Sequence, residues 1–316
     1  MKKTIFALSA VVLVLGLMGC SKNGAKKKIK IGVIQLVEHP ALDGSYKGFV
    51  DGLAEAGFVD GENISIDYQN AQNEQANCVT IANKLVNDKD DLIFAIATPA
   101  AQAVANLTKD IPILVSAVTD PESAKLVKSN AKPDTNVSGT SDLTPVAAQI
   151  KLLKQIVPGA KKVGLMFCSS EQNSIFQIEM AKKACESEGL SFIEASVSNS
   201  NEIQQVTQSL CGKVDVIYTP TDNMIAAGMA LVAQVANENG IPTIVGEEGM
   251  VNAGGLATYG INYYELGKQT AKMAVEILEG KNTPAKMPVQ YLDSCDLKVN
   301  EETAKILGIK IPADLK

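Results

Sequence analysis

The chain of 316 residues has no tryptophan, no arginine and a single histidine, His39. Each absence removes a class of chemistry. One imidazole cannot build a multi-histidine metal centre. The sequence also lacks His-Glu-x-x-His, Cys-x-x-Cys, Gly-x-Ser-x-Gly and Gly-x-x-x-x-Gly-Lys-Ser/Thr. Zinc hydrolysis, dithiol redox chemistry, a serine nucleophile elbow and a phosphate-cradling loop are therefore without their usual marks. No cofactor and no metal is expected. Without arginine, a carboxylate on a ligand must be held by hydroxyls, backbone N–H groups and helix N-termini instead of a bidentate guanidinium. Aromatic residues are limited to seven Tyr and seven Phe, so stacking on a ligand falls to these. Besides Cys20, the cysteines Cys78, Cys168, Cys185, Cys211 and Cys295 are odd in number and widely spaced. They read as small core residues, not as a disulfide framework.

What is present begins with an address. Met1-Lys2-Lys3 is a short basic start, and Ile5 to Met18 is apolar apart from Ser9. That is the layout of a secretory signal peptide, too short for a good membrane span of roughly 20 residues. Leu17-Met18-Gly19-Cys20 resembles a bacterial lipobox, in which the cysteine becomes the lipidated first residue; the plainer reading is an ordinary cleaved signal with an incidental cysteine. The expectation is a signal over residues 1–19, lipid on Cys20 and a lysine-rich tether over 20–28. Loss of residues 1–19 leaves 27 lysines against 35 acidic side chains, a net charge near −8. Nucleic acid is excluded as a partner, since its phosphates need a basic face.

The remaining length is enough for two domains. Apolar runs of strand length alternate with amphipathic stretches. Lys30 to Leu36, Leu92 to Ala97, Ile113 to Val118, Val163 to Phe167, Val214 to Tyr218 and Ile241 to Val245 read as buried strands. Helices are expected at Tyr46 to Ala54, from Pro99, over residues 173–188, from about Asn223 to Asn237 and from Tyr264 to Glu279. Continuous apolar strands separated by helices mean parallel sheets covered on both faces, an α/β fold. Turn-rich breaks at Asn136 to Asp142, Asn252 to Gly255 and Asn282 to Pro284 divide the chain. They place lobe 1 at 29–140 and 256–283, lobe 2 at 141–255 and 284–316, with three crossings and a cleft between two Rossmann-like lobes.

Several motifs then carry a resemblance. Glu38-His39-Pro40-Ala41-Leu42-Asp43, Gly57-Phe58-Val59-Asp60-Gly61-Glu62-Asn63, Ala97-Thr98-Pro99-Ala100-Ala101-Gln102, Thr221-Asp222-Asn223, Gly246-Glu247-Glu248-Gly249 and Tyr259-Gly260-Ile261-Asn262-Tyr263-Tyr264-Glu265-Leu266-Gly267 occur in one order along the mature chain. This resembles the ABC-type substrate-binding lipoproteins related to tryptophan and tyrosine uptake. The resemblance implies a fold like that of type I periplasmic binding proteins, closing on a small molecule outside the cell. Aromatic amino acids are prominent among such ligands. It further implies ABC permease and ATPase subunits as partners.

In open parallel sheets the ligand lies beyond the carboxyl ends of the strands, so the loops there supply the candidates. Thr98-Pro99 opens a helix, and Ala100 and Ala101 follow with uncovered N–H groups, a place for a carboxylate or simply a cap. Thr119 faces the cleft while Asp120 caps the next turn. Ser170 and Asn173 either bond the ligand or cap their helix. Thr221, Asp222 and Asn223, with Glu247 or its neighbour Glu248, offer an acidic partner for an ammonium group. Glu38 and His39 complete the ring. Two other readings stand beside this one. A ligand-sensing module shares the fold but would bring a second membrane span or a signalling domain, and the sequence shows neither. A cleft enzyme using Cys168 and His39 is opposed by the apolar strand that ends in Cys168.

Overall fold

The computed structural model describes residues 28–315. The expected signal segment and Cys20 lie outside the described residues. Lobe 1 opens with β1 (Ile29–Gln35), α1 (Pro40–Glu55), β2 (Ile64–Asn70), α2 (Gln75–Asn87), β3 (Leu92–Ile96), α3 (Thr98–Leu107), β4 (Ile113–Ser116) and β5 (Val137–Gly139). The five strands form one parallel sheet in the order β2-β1-β3-β4-β5. β3 and β4 are buried at every residue. Covered on both faces, they carry unbroken apolar runs where a one-sided strand would alternate. Phe49 of α1 stacks on Phe94 of β3 at 4.0 Å between ring centres. Burying side chains of this size contributes about 1.5–3 kcal/mol each.

The chain then crosses to lobe 2: α4 (Val146–Ile156), β6 (Lys162–Cys168), α5 (Gln172–Ser187), β7 (Ser191–Val197), α6 (Ile203–Leu210), β8 (Val216–Thr219), α7 (Asn223–Ala227), α8 (Met229–Glu238), β9 (Thr243–Val245), α9 (Glu248–Asn252) and β10 (Ala257–Gly260). It returns to lobe 1 with α10 (Tyr263–Leu278) and ends in lobe 2 with β11 (Asp296–Val299) and α11 (Glu301–Ile306). The second sheet has the order β11-β10-β9-β8-β6-β7, parallel except for the antiparallel edge pair β10 and β11. The helix expected over residues 223–237 is broken at Gly228, which ends α7 and begins α8. After β4 no helix forms; Asp120 Oδ1 accepts the Ser123 N–H at 2.6 Å and caps a turn only.

There are three crossings, but two of them fall later than the composition placed them. β10 belongs to the second sheet, so the return to lobe 1 lies at residues 261–262 and not at 256. Gly254 and Gly255 form the turn after α9, with Gly255 N–H bonded back to the Met250 carbonyl at 2.9 Å. Residues 284–290 stay with lobe 1. Met287 lies in its core, and Gln290 N–H donates to the Gly139 carbonyl at 2.9 Å. The third crossing therefore lies between Gln290 and β11.

α10 is fastened to lobe 1 by the close approach of glycines. A β-carbon on Gly48 of α1 would sit 1.9 Å from the Tyr264 carbonyl oxygen, and one on Gly267 would sit 2.0 Å from the Ser45 oxygen. Two backbones meet where a side chain has no room. This contact fixes the N-termini of α1 and α10, which both lead into the cleft.

Candidate ligand-binding cleft

The carboxyl ends of both sheets face each other, and the lobes touch. His39 Nε2 lies 3.4 Å from Asn223 Oδ1, and Gln177 Nε2 donates to Thr119 Oγ1 at 3.2 Å. Between the lobes the closed cleft leaves a cavity of only about 10 Å³, room for about one water molecule. Lobe 1 lines it with His39, Leu42 and Ala117, the first crossing with Asp142, and the start of α10 with Tyr263. Lobe 2 contributes Asn173, Thr221, Asp222, Asn223, Ala226 and Glu247.

Of the residues expected from sequence, His39, Asn173, Thr221, Asp222, Asn223 and Glu247 are brought together around this cavity. Thr119 is buried beside it and already engaged with Gln177 and Thr221. Glu38 is exposed and outside the lining, and Ser170 sits on the rim of a wider groove that includes Gln72 and Asn201. Thr98 and Ala100 are fully buried at the start of α3, just beyond β3. β3 is the strand between those that lead to His39 and Ala117. Neither the Thr98 N–H, the Ala100 N–H nor the Thr98 hydroxyl has a hydrogen-bond partner among the described residues, whereas the Ala101 N–H, expected to be uncovered, donates to the Ala97 carbonyl at 3.0 Å. The neighbouring strand ends are strained. Ala97 and Ala117 have φ of 80° and 54°, in a region that residues with a β-carbon rarely occupy.

The lobe 2 acids carry structural duties. Asp222 caps α7, its Oδ1 accepting Ile225 N–H at 2.8 Å and its Oδ2 accepting Cys168 N–H. Glu247 caps α9 through the N–H groups of Met250 and Gly249. Glu171, which the sequence reading passed over, accepts from Asn173 Nδ2, from Asn223 N and Nδ2 and from Met224 N. Burial raises Glu247 to about 7. Burial and then the nearby Glu171 carboxylate raise Asp222 as well. Asp142 was read only as part of a crossing. Its Oδ2 accepts the Tyr263 hydroxyl at 2.7 Å, and burial raises it to about 6. No lysine is buried among the described residues, so no protein cation balances these four carboxylates. A dyad of Cys168 and His39 has little chemical support. Burial lifts the Cys168 thiol to about 11 and lowers His39 to about 4, so at neutral pH the sulfur is a thiol, not a nucleophilic thiolate.

Two α/β lobes joined by three crossings and closed over a small buried polar cavity define a two-lobed solute-binding protein. The chain belongs to the ABC transporter substrate binding protein family, whose model matches residues 30–316. It is 45% identical over 327 residues to the tyrosine-binding protein of Clostridioides difficile (strain R20291), covering 99% of this chain and 94% of that one. Among solved structures it resembles an ABC domain from Streptococcus pneumonia in complex with L-Trp. That similarity has 40% identity and a TM-score of 0.88, covering 91% of this chain and 97% of the other. It also resembles the ligand-free, open structure of a substrate binding protein with adhesive properties from Clostridium difficile. There the identity is 50% and the TM-score 0.70, covering 90% and 97% of the two chains. The protein with the higher identity thus fits less well overall. That structure is described as open, whereas the lobes here are in contact.

Proposed function

We propose that the ligand is a zwitterionic α-amino acid with an aromatic side chain, captured outside the cell and handed unaltered to an ABC permease and its ATPase. The observation that carries this reading is the opposed polarity of the two cleft faces. Lobe 1 offers unpartnered donors at Thr98 and Ala100 on the positive end of α3, while the far side of the cleft, from the first crossing into lobe 2, holds buried carboxylates that no lysine balances. A carboxylate suits the first face and an ammonium the second. The printed ligands of the relatives, tyrosine and L-Trp, support an aromatic side chain.

The test is calorimetric titration of the purified chain with amino acids, sugars and purines, followed by chromatography of the recovered ligand. The expected result is saturable binding of L-tyrosine or L-tryptophan and recovery of the same compound. A preferred sugar or purine, or a chemically changed product, contradicts it. The anchor part of the proposal rests on Leu17-Met18-Gly19-Cys20. Cys20→Ser should move the protein out of the membrane fraction, and an unchanged distribution contradicts lipid attachment there.

A further inference from the structure

Three buried polar atoms of the cavity lining lack a hydrogen-bond partner: Asp142 Oδ1, Asn173 Oδ1 and His39 Nδ1. The surrounding bonds fix the polarity of each. Asn173 uses its Nδ2 on Glu171 Oε2 and on the Thr221 carbonyl, both at 3.1 Å, so the free atom is the amide oxygen. Asn223 Nδ2 donates to Glu171, which leaves Asn223 Oδ1 as an acceptor. The His39 Nε2 facing it must therefore carry the ring proton. Burial keeps that ring neutral near pH 7, so Nδ1 is a bare lone pair. Asp142 Oδ1 is a carboxylate oxygen. The Thr119 hydroxyl lies near enough to favour the charged form but makes no hydrogen bond with Oδ1. All three unpartnered groups are acceptors.

A primary ammonium has three donors and no acceptor. The geometry points to an ammonium site made by Asp142, Asn173 and His39, with Tyr263 as the positioning residue that holds the Asp142 carboxylate. It rests on the amino-acid reading of the cleft and replaces the earlier expectation of Asp222 or Glu247, whose oxygens each already accept a backbone N–H. The three contributors come from the β1–α1 loop, the first crossing and the start of α5. One ammonium therefore ties lobe 1, the hinge and lobe 2 together, and closure is coupled to the presence of an amine.

The test is a ligand series on the wild-type chain, which needs no variant to fold. L-tyrosine, tyramine and 3-(4-hydroxyphenyl)propionate are titrated calorimetrically. L-tyrosine should bind most tightly. The propionate, which lacks the amine, should bind about 30-fold or more weakly, and tyramine should keep measurable affinity. Asp142→Asn should lose a similar factor for L-tyrosine and little for the propionate, with ligand-free stability undiminished because a buried charge has been removed. Equal binding of L-tyrosine and the propionate, or unchanged L-tyrosine affinity in Asp142→Asn, overturns this site and leaves amino-acid capture standing. Binding of none of the three, nor of L-tryptophan, overturns the amino-acid reading and the site with it.

Discussion

In lobe 1 the loops that reach the cleft carry one acceptor, His39, and otherwise hydroxyls, small residues and uncovered N–H groups: Thr98, Ala100, Ala117 and Thr119. In lobe 2 they carry Glu171, Asp222 and Glu247, each already accepting backbone N–H groups. The two regions share an α/β architecture and differ in what their buried polar atoms are for. Lobe 2 uses its acids first to hold short helices in place, and the negative cleft face is the by-product. Lobe 1 leaves its donors open. The cavity-lining acid with an unpartnered oxygen, Asp142, belongs to neither sheet but to the segment that joins them.

The comparison breaks most severely at the α1–α10 contact. Gly48→Val should destabilise the chain by about 3 kcal/mol or more, because overpacking against backbone cannot be relieved by a rotamer change. Denaturant unfolding reads the loss, and a change below about 1 kcal/mol would mean that α10 can shift without harm. Next come the caps of lobe 2. Asp222→Ala and Glu247→Ala should each cost about 1–2 kcal/mol in the same unfolding measurement, while L-tyrosine affinity of the folded protein changes by less than about threefold. A large affinity loss without a stability loss would make them ligand residues instead. Thr98→Val on the lobe 1 side should do the reverse. Affinity should fall about 10-fold, the scale of a hydrogen bond to a charged group, with ligand-free stability unchanged or improved, since a buried unpartnered hydroxyl is removed.

How legible this was differed by region. The central strands β1, β3 and β4 follow from unbroken apolar runs such as Leu92 to Ile96, because a strand covered on both faces leaves a one-dimensional mark; β2, half-buried along most of its length, and the three-residue β5 leave none. The late crossings did not. Gly254-Gly255 looks like a hinge in composition, and only the pairing of β10 with β9 places it inside lobe 2. Around the cavity, His39, Asn173, Asp222 and Glu247 were recoverable because they directly follow or nearly follow strands. Their roles were open, since a cap and a ligand contact use the same residue types at the same place. Asp142 and Tyr263 escaped because their significance is a bond between two crossings 121 residues apart. Tyr263 was visible only as part of a motif.

The smallest expected effect is in pH. Asp142, normally near 3.8, is raised to about 6, Glu247, normally near 4.5, to about 7, and Asp222 is raised too. Between those ordinary and raised values the folded chain holds protons that the unfolded chain has released, so these acids make stability fall as pH rises. His39 is lowered from 6.5 to about 4 and acts in the opposite sense over that window. Asp90, outside the cavity, is raised to about 6 as well, so four acids against one histidine leave a net fall from about pH 5 to 7. Calorimetric melting of the ligand-free chain should show a lower Tm at pH 7 than at pH 5. With saturating L-tyrosine the difference should shrink, because an ammonium favours the charged carboxylates. A ligand-free Tm that rises over this range would contradict the buried-acid account.

The claim on which the rest depends is that the open donors at the start of α3 and the three unpartnered acceptors around Asp142 hold opposite ends of one amino acid. A crystal structure of this chain with L-tyrosine tests it directly. The ligand carboxylate should lie within hydrogen-bond distance of the Thr98 and Ala100 N–H groups, and its ammonium should bond Asp142 Oδ1, Asn173 Oδ1 and His39 Nδ1. A ligand bound the other way round, or one whose ammonium points to solvent with those three acceptors still unpartnered, would contradict it.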